Sequence, residues 1–100
     1  MEEREEIIEL YELYKGLLTE NQRLYFESYY YEDLSLNEIA DNNKVSKSLV
    51  SKIINNTIKK IKHYEEVLNI NYKEDELKKL LNKVNDDKIK KAIGEILYKD

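Results

Sequence analysis

LSLNEIADNNKVSKSLVSKIIN, from Leu34 to Asn55, decides the fold of this chain. Ser35 followed by Glu38 is a capping box, in which hydroxyl and carboxylate each satisfy a backbone N–H at the start of a helix. The spacing predicts a short helix from Leu36, with Leu36, Ile39 and Ala40 on one face and Ala40 small enough for a second helix to cross closely. Asn42, Asn43 and Lys44 interrupt the pattern. Asparagine enters the left-handed backbone region cheaply, so the two asparagines are expected to supply the turn. Val45 plugs the corner and Ser46 caps the next helix. On that helix Leu49, Val50, Ile53 and Ile54 form an apolar stripe, leaving Lys47, Ser48, Ser51, Lys52 and Asn55 at its edge or facing outward. The pair has the build of a helix-turn-helix, its second helix placed as a recognition helix.

Charge around this unit is unevenly spread. The chain carries a net −4, but its first 33 residues carry −7, residues 34–72 carry +2 and residues 73–100 carry +1. From Asn42 to Tyr64 there is no acid, while Lys44, Lys47, Lys52, Lys59, Lys60 and Lys62 are all basic. Lysines concentrated beside a reading helix suit a phosphate-facing surface, because each neutralises a phosphate and releases counterions. A solvated helix face would also use lysine. The acidic first third would repel nucleic acid, which confines binding to one side of the molecule.

One hundred residues are expected to form a single helix-turn-helix domain, with a core over 1–69 and a helical extension over 70–100. Absence of proline, two glycines and 38% charged residues predict an all-α helical bundle with no hairpin. There is no cysteine, hence no disulfide or thiolate metal site. No apolar run is long enough to insert into a membrane, and the acidic start MEEREEIIEL does not resemble a signal peptide, so a cytoplasmic location is expected.

Outside the central pair, Glu2 to about Leu18 reads as an amphipathic helix, its early acids suited to the positive end of the helix dipole. Thr19 with Gln22 forms a second capping box, opening a helix to about Tyr31 that carries Leu24, Tyr25, Phe26, Tyr29 and Tyr30, the aromatic cluster toward the core, and leaves Tyr31 more exposed. The fourth helix is expected from Lys47 to about Val67. That is longer than reading a groove requires. Its later stripe, Ile58, Ile61, Tyr64 and Leu68, should pack either on the last third of the chain or on a second copy, and these four are the expected homodimer contact. Tyr72–Asn85 and Asp87–Tyr98 read as two further amphipathic helices.

Catalytic constellations are missing. His63 stands between Lys62 and Tyr64 as a surface side chain, and the serines have no base beside them. Gly16 and Gly94 are isolated, so there is no phosphate loop. Asp86 and Asp87 read as caps rather than metal ligands. The expectation is a non-enzyme that needs neither cofactor nor metal.

With these residues in place, the segment from Leu18-Thr19 and Gln22-Arg23 resembles the YlxM family of small bacterial helix-turn-helix proteins. The resemblance runs through the aromatic run ending at Tyr31, Asp33-Leu34-Ser35-Leu36, Glu38-Ile39-Ala40 and Val45-Ser46 to Tyr64-Glu65. More distantly it is similar to the fourth region of sigma factors, in which the matching helix reads promoter DNA. The resemblance implies a dimeric all-α regulator of, or accessory to, the signal recognition particle pathway. Its partner would be DNA or the particle's RNA; the alternative is an interaction module that binds the particle's GTPase or its receptor. The expected nucleic-acid-binding residues are Lys44, Ser46, Lys47, Ser48, Ser51, Lys52, Asn55, Lys59 and Lys62. Lys47 stands where these proteins usually have arginine, and lysine offers phosphate or base a point charge rather than a planar fork.

Overall fold

The computed structural model describes residues Glu3 to Lys99; Glu2, expected in the first helix, lies outside them. Six α-helices follow one another with no strand among the described residues: α1 (Glu3–Tyr14), α2 (Glu20–Tyr30), α3 (Leu36–Asn43), α4 (Lys47–Leu68), α5 (Ile70–Asn82) and α6 (Asp87–Leu97). The chain divides into two compact units, one ending at Val67 and one beginning at Leu68.

In the first unit both expected capping boxes form. The Thr19 hydroxyl accepts from the Gln22 N–H at 3.2 Å while the Gln22 side chain accepts from the Thr19 N–H at 3.0 Å. Ser35 and Glu38 exchange the same pair of bonds at 3.1 and 3.0 Å. The backbone N–H of Ser35 holds the Glu38 carboxyl below its usual range. α1 ends earlier than its periodicity suggested: Lys15–Leu17 tighten into a 3₁₀ turn and Leu18 is extended. Extension turns Leu18 into the core and leaves Leu17 exposed. The Arg23 guanidinium closes this corner, donating to the carbonyls of Leu18 at 2.6 Å and Lys15 at 3.2 Å.

Two clusters make the core of this unit, and α2 lies between them. Phe26 is fully buried with Ile7, Leu10, Tyr11, Tyr14 and Leu18 on one side. One position earlier on α2, Tyr25 joins Ile39, Ala40, Val50 and Ile54 on the other. The rings of Tyr11 and Phe26 stack at 3.9 Å, and Phe26 stacks on Tyr30 at 4.5 Å. Tyr31 stays partly exposed, as expected. The buried hydroxyls of Ser28 and Thr57 donate to carbonyls one helical turn back, Leu24 at 2.8 Å and Ile53 at 2.7 Å, so neither is left unpaired.

The length of α4 follows from these clusters. Val50 and Ile54 in its first half complete the helix-turn-helix core, and Ile61 in its second half is fully buried among the α1 residues. Of the expected homodimer contact, Ile61 is thereby taken up within its own unit. Ile61 has no surface to offer a second copy; Ile58 and Tyr64 are half-buried against the same clusters, and Leu68 is exposed. Leu49, expected in the apolar stripe, is also exposed, as is Leu24 among the apolar residues of α2.

In the second unit, the αα-hairpin of α5 and α6, Asp86 caps α6 by accepting from the N–H groups of Lys88 at 2.9 Å and Ile89 at 3.1 Å. α5 occupies Ile70–Asn82 rather than Tyr72–Asn85, and its Leu81 is buried. Leu77, Leu80, Ile89 and Ile96 are exposed.

Candidate nucleic-acid interface

The turn between α3 and α4 sets where the second helix points. Lys44 sits in the left-handed region at φ 55°, ψ 44°. Its N–H bonds to the Asp41 carbonyl, and the Val45 N–H reaches back to Ala40 at 3.0 Å. That pairing is a Schellman motif, which satisfies the last carbonyls of α3 and brings Val45 against the cluster holding Ile39 and Ala40. The expectation that the asparagines supply the left-handed residue is corrected. Both remain helical, and Asn43 donates its side-chain N–H to the Ile39 carbonyl at 2.8 Å, which holds it in place. Ser46 then caps α4, accepting from the Leu49 N–H at 3.1 Å.

On α4, at 100° per residue, Ser48, Ser51, Lys52, Asn55, Lys59 and Lys62 fall within about 60° of one line. The buried Val50, Ile54, Thr57 and Ile61 line the opposite side. The polar row rises over about 21 Å from Ser48 to Lys62. All six are exposed except Ser51, which is half-buried. Lys47 lies on the flank of this row and Lys44 at the tip of the turn, both exposed. Asn55 sits one turn after Ser51, with its side-chain nitrogen 3.5 Å from the Ser51 hydroxyl.

The structure brings together five of the nine expected residues. Lys47, Ser48, Ser51, Lys52 and Asn55 line one shallow hollow of about 410 Å³, together with Leu36 of α3. An adjoining hollow of about 240 Å³ is lined by Tyr29, Ser35, Leu36, Asn37 and Lys47. Leu36, Asn37 and Tyr29 were not legible as site residues, because their place beside Lys47 depends on how α3 crosses α4. Lys59 and Lys62 continue the row beyond the hollow. Lys62 is engaged by Glu3 of α1 at 3.4 Å, whereas Lys44, Lys47, Lys52 and Lys59 make no ion pair among the described residues. The row is therefore open and cationic from the turn to Lys59 and neutralised at its far end.

The acidic side of the unit is organised differently. Arg4 reaches from α1 to the end of α2, donating to the Tyr30 carbonyl at 2.7 Å, lying 5.1 Å from the centre of the Tyr30 ring and pairing with Asp33 at 3.5 Å. Glu5, Glu6 and Glu9 remain exposed. Among the described residues no group of three or more histidine, cysteine or acidic side chains is placed to hold a metal, and His63 is exposed. No helix of the described residues is long and apolar enough to cross a membrane.

Known proteins are similar to this chain over nearly its whole length. The family model described as "Putative helix-turn-helix protein, YlxM / p13 like" matches residues 1–99. A UPF0122 protein of Mycoplasma capricolum is 39% identical over 98% of this chain and 91% of its own length. One from Clostridium perfringens is 42% identical over 97% and 95%, and one from Clostridium botulinum is 46% identical over 70% and 64%. With the capped helix pair of this geometry lying inside a family match that runs over residues 1–99, the chain belongs to UPF0122, the YlxM/p13-like helix-turn-helix family.

Proposed function

We propose that this protein is a non-catalytic nucleic-acid-binding regulator or accessory factor. One observation carries the reading: the polar row of α4 faces away from the core, with Lys44, Lys47, Lys52 and Lys59 unengaged by acids among the described residues. An α-helix fits the major groove of a duplex. In this reading the first three turns of α4 enter the groove, Asn55 and Ser51 meet base edges, and the lysines at 44, 47, 52 and 59 rest on phosphates. The signal recognition particle pathway, implied by the resemblance to YlxM proteins, is the setting of this reading, with DNA or the particle's RNA as target.

The test is a salt titration of binding to duplex DNA and to a structured RNA. Lys47→Ala and Lys52→Ala should each weaken binding uniformly across sequences and flatten the slope of log affinity against log salt by about one. Should the wild-type protein bind neither polymer at low salt, or should both substitutions leave the slope unchanged, the reading fails.

A second reading draws on α1, whose exposed acids could attract a basic protein surface. Under it the chain is an interaction module for the particle's GTPase or its receptor. Replacing Glu5, Glu6 and Glu9 together with glutamine should slow association with such a partner and leave nucleic-acid affinity undiminished. An unchanged association rate with both partners removes it.

A further inference from the structure

The hollow between α3 and the polar row of α4 has an apolar wall that the phosphate and amide contacts leave unused. Lys47, Ser48, Ser51, Lys52 and Asn55 line it from α4, and Leu36 lines it from the first turn of α3. Among these described residues Leu36 alone carries no polar side-chain atom. It is half-buried, packed on one side against the cluster that holds Ile39, Ala40, Val50 and Ile54, and it borders both neighbouring hollows on the other. A side chain anchored in this way keeps its place without a ligand, so the apolar wall stands ready before anything binds.

We infer that Leu36 receives the methyl group of a thymine, and that the target is duplex DNA with an adenine–thymine pair set in this hollow. The inference rests on the nucleic-acid reading and deepens it. Base edges in the major groove present hydrogen-bond donors and acceptors with one exception, the thymine methyl, which is the apolar group displayed there. Asn55, in the same hollow, has the amide that pairs with an adenine edge, and Lys47 and Lys52 beside it carry charge for the flanking phosphates. A hollow that holds both an amide and an apolar wall matches the adenine and thymine edges together. Uracil lacks the methyl, and the deep, narrow major groove of A-form RNA keeps side chains out, so RNA offers Leu36 nothing to hold. Leu49, 40% exposed on α4, lies about 100° round the helix from Ser48 and does not line the hollow.

Binding of the full chain at low salt to three alternating duplexes tests this: adenine–thymine DNA, the same DNA with uracil in place of thymine, and adenine–uracil RNA. The first two differ only in the methyl groups. The wild-type protein should bind the thymine duplex about fourfold more tightly than the uracil duplex, the worth of one buried methyl group, and the RNA more weakly still. Leu36→Ala should bring the two DNA duplexes to equal affinity, Leu36→Met should keep the preference, and Leu49→Ala should leave it unchanged. Each ratio is read on one protein stock, so a loss of folded fraction cancels from it, and the wild-type ratio decides even if Leu36→Ala does not fold. Equal wild-type affinity for the two DNA duplexes, a preference that survives Leu36→Ala or is lost with Leu49→Ala, or RNA bound as tightly as the thymine duplex overturns the inference and leaves the nucleic-acid reading standing. Binding to none of the three removes the nucleic-acid reading and this inference with it.

Discussion

The hydroxyl of Tyr14 donates to the carboxylate of Glu65 at 2.7 Å, joining the last turn of α1 to the second half of α4 across fifty-one positions of sequence. The two rings of Tyr14 and Tyr64 meet at 5.8 Å beside it, and Ile61 is buried in the same cluster. α4 is held along its length by its own unit, so its outward row is presented on a rigid element rather than on a loop.

Ile61→Ala should therefore destabilise the folded monomer by about 2–5 kcal/mol, the range for deleting a fully buried aliphatic side chain. The loss should be the same at low and high protein concentration. Leu68→Ala, at an exposed position, should change stability by less than about 0.5 kcal/mol. Urea unfolding at two protein concentrations reads both, and a loss for Ile61→Ala that disappears on dilution would return this residue to an interface between copies.

Lys44→Gly should separate stability from binding. A left-handed non-glycine residue costs about 1–2 kcal/mol, partly offset by the greater chain entropy that glycine loses on folding. The substitution should raise stability by up to about 1 kcal/mol while weakening nucleic-acid binding through loss of one phosphate contact. Lys44→Val should lower stability instead. Thermal unfolding alongside the binding titration checks the pair, and equal stability of the glycine and valine variants would show that the turn does not require this backbone.

Asn55→Ala should differ from the lysine changes. Asparagine can make two hydrogen bonds to an adenine edge, so its loss should cost about 1–3 kcal/mol at one base position and relax preference there alone. Binding to a set of duplexes varied one position at a time measures it; uniform weakening across the set would make Asn55 a backbone contact.

Lys59→Ala and Lys62→Ala should not be equivalent. Glu3 lies 3.4 Å from Lys62 and offsets its charge, so removing Lys62 should flatten the salt slope less than removing Lys59. Glu3→Gln should raise affinity, and a Lys62 effect as large as that of Lys59 would mean the ion pair opens at no cost on binding.

The tyrosines predict the alkaline limit of stability. Burial first, and then hydrogen bonds to Glu27 and Glu12, raise the hydroxyls of Tyr11 and Tyr31 above their ordinary value of 10.0. As pH passes 10.0 the unfolded chain loses these protons and the folded chain keeps them, so the stability they contribute is complete below pH 10.0 and declines above it. Tyr11→Phe and Tyr31→Phe should each flatten that decline. At the acid end Glu12, held below its ordinary 4.5 by Lys15 and then by Tyr31, contributes stability that is lost as pH falls through its folded value. Denaturant unfolding from pH 3 to 11 follows both limbs, and a Tyr11→Phe profile that matches wild type above pH 10 would contradict the assignment.

Ser35–Glu38, Thr19–Gln22, Ser46 and Asp86 were legible in the sequence, and so was the separation of the Val50–Ile54 stripe from the row of Ser48, Lys52 and Asn55. Each of these rests on residues two to four apart, whose side chains reach one another or share a face whatever the rest of the chain does. Tertiary structure alone decided which stripes are covered: Ile61 is enclosed by α1 while Leu68, Leu77 and Leu80 of similar pattern are exposed. It also placed the left-handed turn at Lys44, because Asn43 is held helical by the Ile39 carbonyl while Val45 is drawn into the core, and it set Leu36 beside Lys47 and Glu3 beside Lys62. Periodicity records that a face is apolar or charged; what lies against it depends on segments tens of residues away, and only the folded chain brings those together.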